Sequence, residues 1–167
     1  MPIVYKGRVF SVEVDRKVFP NGRTHDVEVV RHPSSIVLVP LEDDGRVVLV
    51  RQYRPSVGKE MWELPAGSLH EGETAEAAAE RECEEEIGRV PAHLERLAGL
   101  FPAPGFCDEE LIFFRASGLM RPDPNSGRAP DEDEDIHVEA FHLKDARAMV
   151  TRGVIVDLKT AFGLTLA

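Results

Sequence analysis

The sequence predicts an α+β domain, on three observations. Apolar residues alternate or run continuously between turn residues from Val9 to Gln52, one well-capped helical stretch follows at Thr74 to Gly88, and strand-like segments then give way to C-terminal helices. With 43% hydrophobic and 30% charged residues over 167 positions, the chain has material for a single core. A domain of this size buries roughly 70% of its unfolded surface and needs no disulfide or structural metal to hold together.

Between Val9 and Val30 the pairs Val12/Val14 and Val27/Val29 alternate around Pro20-Asn21-Gly22, where Asn-Gly supplies the positive φ angles of a tight hairpin turn. Ile36–Leu41 and Val47–Gln52 flank Asp43-Asp44-Gly45, so a second strand pair is expected directly after the first, buried well enough to be apolar throughout. Thr74 is the expected N-cap of a helix over Ala75–Ile87, which Gly88 stops and Pro91 keeps from resuming. Leu94–Phe101, Glu110–Ser117 and Ile136–Leu143 read as strands. Asp145–Arg152, ended by Gly153, reads as a second helix, and Val156–Leu166 as a last one. Gly118 to Asp135 holds Pro122, Pro124, Gly127, Pro130 and the acidic run Asp131–Asp135, and is expected to be irregular, as a functional lid or local disorder.

The formal charge of −10 argues against nonspecific binding to nucleic acid or to an anionic membrane. The longest apolar runs, Ile36–Val39 and Val47–Val50, are far too short to span a bilayer, and the first residues show no signal-peptide apolar region. Cys83 and Cys107 have neither CxxC spacing nor a companion His motif. A cytoplasmic protein is expected.

Glu80-Arg81-Glu82-Cys83-Glu84-Glu85-Glu86 places five carboxylates in the C-terminal half of the helix, where the macrodipole disfavours them. Glu82, Glu85 and Glu86 fall on one third of the circumference, with Glu80 and Glu84 opposite, and Ala75, Ala79, Cys83 and Ile87 form the packing stripe between. On an exposed face such charges cost only ~0.2–0.5 kcal/mol per pair. In a cleft, two carboxylates ~5 Å apart repel by ~3 kcal/mol, and the group would take up a proton or bind a cation. Spacing alone leaves both readings open. The six histidines form no HExxH pair and no serine lies in GxSxG. A Walker loop is excluded because Glu73 stands where lysine is required.

Gly67, then five residues to Glu73, then seven to Arg81-Glu82-Cys83-Glu84-Glu85-Glu86-Ile87-Gly88-Arg89, resembles the Nudix box, Gx5Ex7REUxEExGU with U aliphatic. Every fixed letter matches. Cys83 is a small apolar substitute at the first U, whereas Arg89 departs from the second. Val50–Pro55, Trp62–Gly67, Pro104–Glu109, Asp131–Asp135 and Val156–Thr160 look like the ADP-ribose pyrophosphatase branch of that superfamily.

The resemblance implies a Nudix-type α/β/α sandwich around a mixed sheet at residues 36–167, with a small N-terminal β-hairpin extension at residues 1–35 exchanged between the subunits of a homodimer. Glu82 and Glu86 match the principal magnesium ligands, Glu85 the third, and the Ala66 carbonyl joins them. Manganese suits the same hard oxygen donors. Arg81 and Glu73 match a pair that braces the loop against the helix, with Gly67 and Gly88 framing the box. Pro104 matches the marker for ADP-ribose-type substrates. Glu132 and Glu134 fall where relatives carry a water-activating carboxylate and an additional metal ligand. Arg54 and Arg31 match phosphate or ribose contacts, with Glu63 a further candidate beside them.

The implied activity is Mg²⁺-dependent hydrolysis of ADP-ribose, or a related nucleoside diphosphate sugar, to AMP and ribose 5-phosphate. The alternatives are a pyrophosphatase for GDP-mannose, NADH, FAD or diadenosine polyphosphates, and a Nudix-fold sensor that binds a nucleotide without hydrolysing it. Charge supports a metal in any of the hydrolytic readings, because a doubly anionic linkage is repelled by a chain of charge −10 unless cations neutralise it.

Overall fold

A computed structural model describes residues 2–123 and 136–167. The acidic run with Glu132 and Glu134 therefore lies outside the described residues.

Three strands come first: β1 (Ile3–Lys6), β2 (Ser11–Val18) and β3 (Thr24–Arg31), an antiparallel sheet in the order β1-β2-β3. The β2–β3 hairpin is the one expected from Asn21-Gly22, but only Gly22 takes a positive φ, at 78°. Gly22 N–H donates to Phe19 O and Phe19 N–H to Arg23 O, each at 2.8 Å, so the loop is a three-residue turn closed by a left-handed glycine.

The remaining strands are β4 (Ser35–Pro40), β5 (Arg46–Arg54), β6 (Lys59–Glu63), β7 (Ala66–Ser68), β8 (Val90–Leu100), β9 (Leu111–Met120) and β10 (His137–His142). They form one antiparallel sheet, β10-β5-β6, and one mixed sheet, β7-β4-β9-β8, in which β4 and β9 run parallel. The expected β4–β5 pair is corrected here. The Asp-Gly turn forms, with Glu42 N–H donating to Arg46 O, yet only the Leu41–Val47 bridge joins the strands before they part into different sheets. Both strands are buried on two faces, so their apolar runs carry no polar side from which pairing could be read.

Helices α1 (Ala75–Ile87), α2 (Leu143–Thr151) and α3 (Leu158–Leu166) cover the sheets. Thr74 caps α1 by accepting from Ala77 N–H at 3.2 Å. Gly88, at φ 62°, ends it with bonds from its own N–H to Glu84 O and from Arg89 N–H to Cys83 O. Alternate residues of β4, β5 and β9 sort to opposite sides. Ile36, Leu38, Val48, Val50, Ile112 and Phe114 pack with Ala78, Ala79, Cys83 and Ile87 of α1. Val37, Val39, Val47, Leu49, Leu111 and Phe113 pack with Ala146, Met149 and Leu164 of α2 and α3. This is the α/β/α sandwich around a mixed sheet, and the packing stripe expected on α1 faces inward.

Candidate active site

The segment from β6 to β7 crosses between the two sheets. Leu64 N–H donates to Thr160 Oγ1 at 2.7 Å, and Pro65 O accepts from Leu38 N–H at 2.8 Å. The crossing sets Glu63 on one sheet and Ala66-Gly67-Ser68 on the other, directly against α1. Glu86 Oε2 accepts from Ala66 N–H at 3.1 Å. A Cβ built on Gly67 would fall on the Glu82 carboxylate, so the glycine lets backbone and carboxylate meet without displacing that side chain.

Arg81 ties this face together. Its Nε and Nη2 donate to the two Glu73 oxygens at 2.9 and 3.0 Å, and Nη2 also donates to Ser68 O. Its Nη1 donates to Glu82 Oε1 at 2.6 Å and to Glu85 Oε2 at 2.9 Å. The fork hydrogen-bonded to Glu73 holds that carboxyl down at about 2, against the opposing effect of burial and with help from His70 N–H. The loop from Gly67 to Glu73 is thereby stapled to the helix, as the resemblance implied.

Glu82 and Glu86 are buried and Glu85 half-buried, whereas Glu80 lies in solvent. Glu84, on the side opposite Glu82, is buried as well. The solvated-stripe reading of this helix is therefore excluded. Cys83 sits in the core, where burial pushes its thiol up to about 12 and leaves it no nucleophilic character at neutral pH.

Glu82 and Glu85 both reach one nitrogen of Arg81, and Glu86 lies one turn on against Ala66. The set consists of hard oxygens suited to a magnesium-like ion, and the missing side chain at Gly67 leaves the cradle open. Among the described residues, no three acidic, His or Cys side chains are already gathered around one point. Glu82 and Glu85 each give Arg81 one carboxylate oxygen, so an ion would be met by the other oxygen or by a carboxylate turned toward it.

The carboxylates open onto a cavity of about 580 Å³ whose lining includes Arg54, Ala66, Gly67, Arg81, Glu82 and Glu85. That volume is in the range of small-molecule sites. A second cavity of about 420 Å³ shares Val9, Arg54, Ala66, Gly67 and Ser68 with it, so the two are lobes of one cleft. Arg54 stands between them. Its Nε and Nη2 each donate at 2.8 Å to Glu63, which is 1% exposed. Burial pushes the Glu63 carboxyl up, but Arg54 and Lys159 more than cancel it and keep the group ionised.

Arg31 and Pro104 line neither lobe. Arg31 donates to Asp108 Oδ2 at 2.8 Å and to Glu13 Oε2 at 2.9 Å, and Pro104 is exposed in the turn that Phe106 and Cys107 N–H close onto Ala103 O. Arg31 instead fastens β3 to the segment after Pro104. Trp62 packs edge-on against Phe141, as a core aromatic does. Sequence reasoning missed Arg8 and Val9, which the N-terminal sheet lends to the cleft, and the trio Asp157, Lys159 and Thr160 at the start of α3. The trio lies in the Val156–Thr160 segment that carries the family resemblance, but nothing in the sequence assigned its residues a role in the cleft.

The NUDIX domain family profile matches residues 30–159. The ADP-ribose pyrophosphatase of Bacillus subtilis (strain 168) is 33% identical over 161 residues, which are 96% of this chain and 86% of the relative. The ADP-ribose pyrophosphatase of Mycobacterium tuberculosis (strain ATCC 25618 / H37Rv) is 34% identical over 92% of this chain and 74% of its own. A methanol dehydrogenase activator from Bacillus methanolicus is also 34% identical, over 96% and 86%. A crystal structure of an ADP compounds hydrolase superposes with a TM-score of 0.84 over 99% of this chain and 88% of that one; at 24% identity it bears on the fold alone.

Proposed function

This chain belongs to the NUDIX domain family and is a Nudix hydrolase, and from that premise we propose that it hydrolyses the pyrophosphate bond of ADP-ribose or a related nucleoside diphosphate sugar, giving AMP and ribose 5-phosphate from ADP-ribose. The observation that carries the reading is one cleft with the Glu82–Glu85 carboxylates on one wall and the Arg54 guanidinium on another. The names of two relatives supply the substrate class.

Nudix hydrolases use divalent cations. Magnesium, or manganese in its place, would be held by Glu82, Glu86 and the Ala66 carbonyl, with Glu134 as a further ligand from outside the described residues. Such a cation neutralises the diphosphate and polarises the attacked phosphorus. The chain's own groups do the rest. With Nε and Nη2 fixed on Glu63, Arg54 keeps its remaining edge for a phosphate oxygen. Arg81 stays anchored on Glu73 even where Glu82 or Glu85 turns from it, so the loop keeps its place. Glu85, at the cleft surface, would complete the ligand set, and Glu132 is the carboxylate proposed to accept the proton of the attacking water.

The proposal includes a homodimer formed through residues 1–35. The β1–β3 sheet contributes nothing to either core cluster and leaves Ile3, Val4, Tyr5 and Val18 more than half exposed. No membrane or nucleic acid enters the reading, and no helix among the described residues is long and apolar enough to cross a membrane. A cytoplasmic setting suits the free cysteines Cys83 and Cys107.

Incubation with ADP-ribose and Mg²⁺, with and without EDTA, tests the reading. AMP formed only with metal is expected; undiminished ligand binding without AMP would replace the enzyme by a sensor. ADP-glucose, GDP-mannose, NADH, FAD and diadenosine polyphosphates in the same assay fix the preferred substrate.

A further inference from the structure

We infer that Lys159, at the first turn of α3, is a positioning residue for Arg54: through the shared carboxylate of Glu63 it holds the guanidinium in the orientation that faces substrate phosphate. The inference rests on the assignment of Arg54 to phosphate binding made above.

Four ionic side chains form an unbroken row. Arg54 binds Glu63 through two bonds of 2.8 Å, Lys159 Nζ donates to the same Glu63 Oε2 that accepts from Arg54 Nη2, and this Nζ also donates at 2.8 Å to Asp157 Oδ2. Asp157 in turn accepts from Thr160 N–H at 3.0 Å and from Thr160 Oγ1–H at 2.5 Å. Glu63 is almost wholly buried and Lys159 is 14% exposed at its side chain, whereas Arg54, at 37%, is the most open member of the row. Arg54 lines both lobes, and Asp157 and Lys159 line the second.

A buried carboxylate with a single cation can swing with it. One held by two cations is pinned in place, and its bidentate partner inherits the fixed geometry. Lys159 is carried on a helix capped by Asp157 at its start and braced by two arginines at its C-terminal end. Arg147 donates to Leu164 O at 2.9 Å and to Ala167 O at 3.1 Å, and Arg115 donates to Leu166 O at 2.9 Å. A Cβ at Gly163 would strike Leu64, so the helix lies hard against the segment that follows Glu63. The C-terminal helix thus sets the aim of an arginine that belongs to a strand far earlier in the chain. Because the four charges cancel, the row adds order to the cleft without adding net charge.

The test is K159M compared with K159R, alone and in an R54A background, read by steady-state kinetics on ADP-ribose with Mg²⁺ and by the ¹Hε–¹⁵Nε resonance of Arg54. Expected for K159M is a KM raised roughly tenfold or more with kcat changed less than about threefold, since loss of the fixed contact weakens ground state and transition state alike. K159R restores KM, K159M adds no further loss to R54A, and the Arg54 Nε–H signal of K159M broadens or shifts. An equal loss in the R54A background, or an Arg54 resonance that K159M leaves unmoved, overturns the inference. If K159M does not fold, K159Q takes its place under the same criteria. If the wild-type protein does not hydrolyse ADP-ribose, the functional reading fails, and the resonance still decides whether Lys159 orders Arg54.

Discussion

The N-terminal sheet and the sandwich that follows it are both β-rich, yet they are held together by different means. In the sandwich, β4, β5 and β9 bury both faces, and the two apolar clusters draw every buried member from residue 36 onward. The β1–β3 sheet buries no residue fully and depends on its ladder, on the Arg31 bonds to Glu13 and Asp108, and on backbone bonds between Val30 and the Phe106–Asp108 segment. A three-stranded sheet without a core of its own is marginal in water and gains most from a partner surface. Stability resides in the sandwich and the extension is the surface proposed for association, while the cleft borrows from both, since Arg8 and Val9 line it beside Arg54 and Glu82.

The largest expected effect separates activity from stability within the sandwich. Glu86→Gln should lower turnover by about three orders of magnitude, because a hard anionic donor is lost. The melting temperature should hold or rise, because crowded negative charge is relieved. Near-normal AMP release by this variant would remove the glutamate face from the mechanism.

Acid should then sharpen the comparison from the sandwich side. The folded-state carboxyl of Glu73 sits at about 2, below its ordinary 4.5, so its stabilisation is complete above 4.5 and is lost as pH falls through about 2. Glu73→Gln should cost about 2–3 kcal/mol at neutral pH. In urea unfolding, the gap to wild type should narrow steadily once the pH drops below 4.5. A gap that is constant with pH would mean the Arg81 staple contributes nothing through charge.

The smallest effect on stability belongs to the extension. Val4→Glu, on an exposed strand, should shift the unfolding of the sandwich by no more than about 0.5 kcal/mol while converting the dimer to a monomer in sedimentation. A variant that stays dimeric would move the interface elsewhere.

Helix α1 was legible in the sequence almost to the residue because its signals are local: a threonine cap, a glycine stop, an apolar stripe four residues apart. The Glu82–Glu85–Glu86 carboxylate face was legible for the same reason, since one helix carries it. Pairing was not legible for β4 and β5, where a correct turn joined two strands that belong to different sheets. Strands β6 and β7 escaped because Lys59–Glu63 is largely polar and Ala66–Ser68 is only three residues long. Lys159 lies 96 positions from Glu63, and no periodicity connects the ends of such a bond. Arg31 and Arg54 look equivalent as isolated arginines. Only folding distinguishes one that clamps a surface segment from one that stands in the cleft.

The passage of Leu64 and Pro65 from one sheet to the other makes the cleft a seam. Arg54 and Glu63 ride on one sheet, Ala66, Gly67 and the helix that carries Glu82 on the other, and their spacing is set by how the two slabs register. A molecule gripped at both ends measures that offset like a gauge. Apolar residues buried in the two slabs, such as Leu38 and Val50, bear on that offset without lining the cleft.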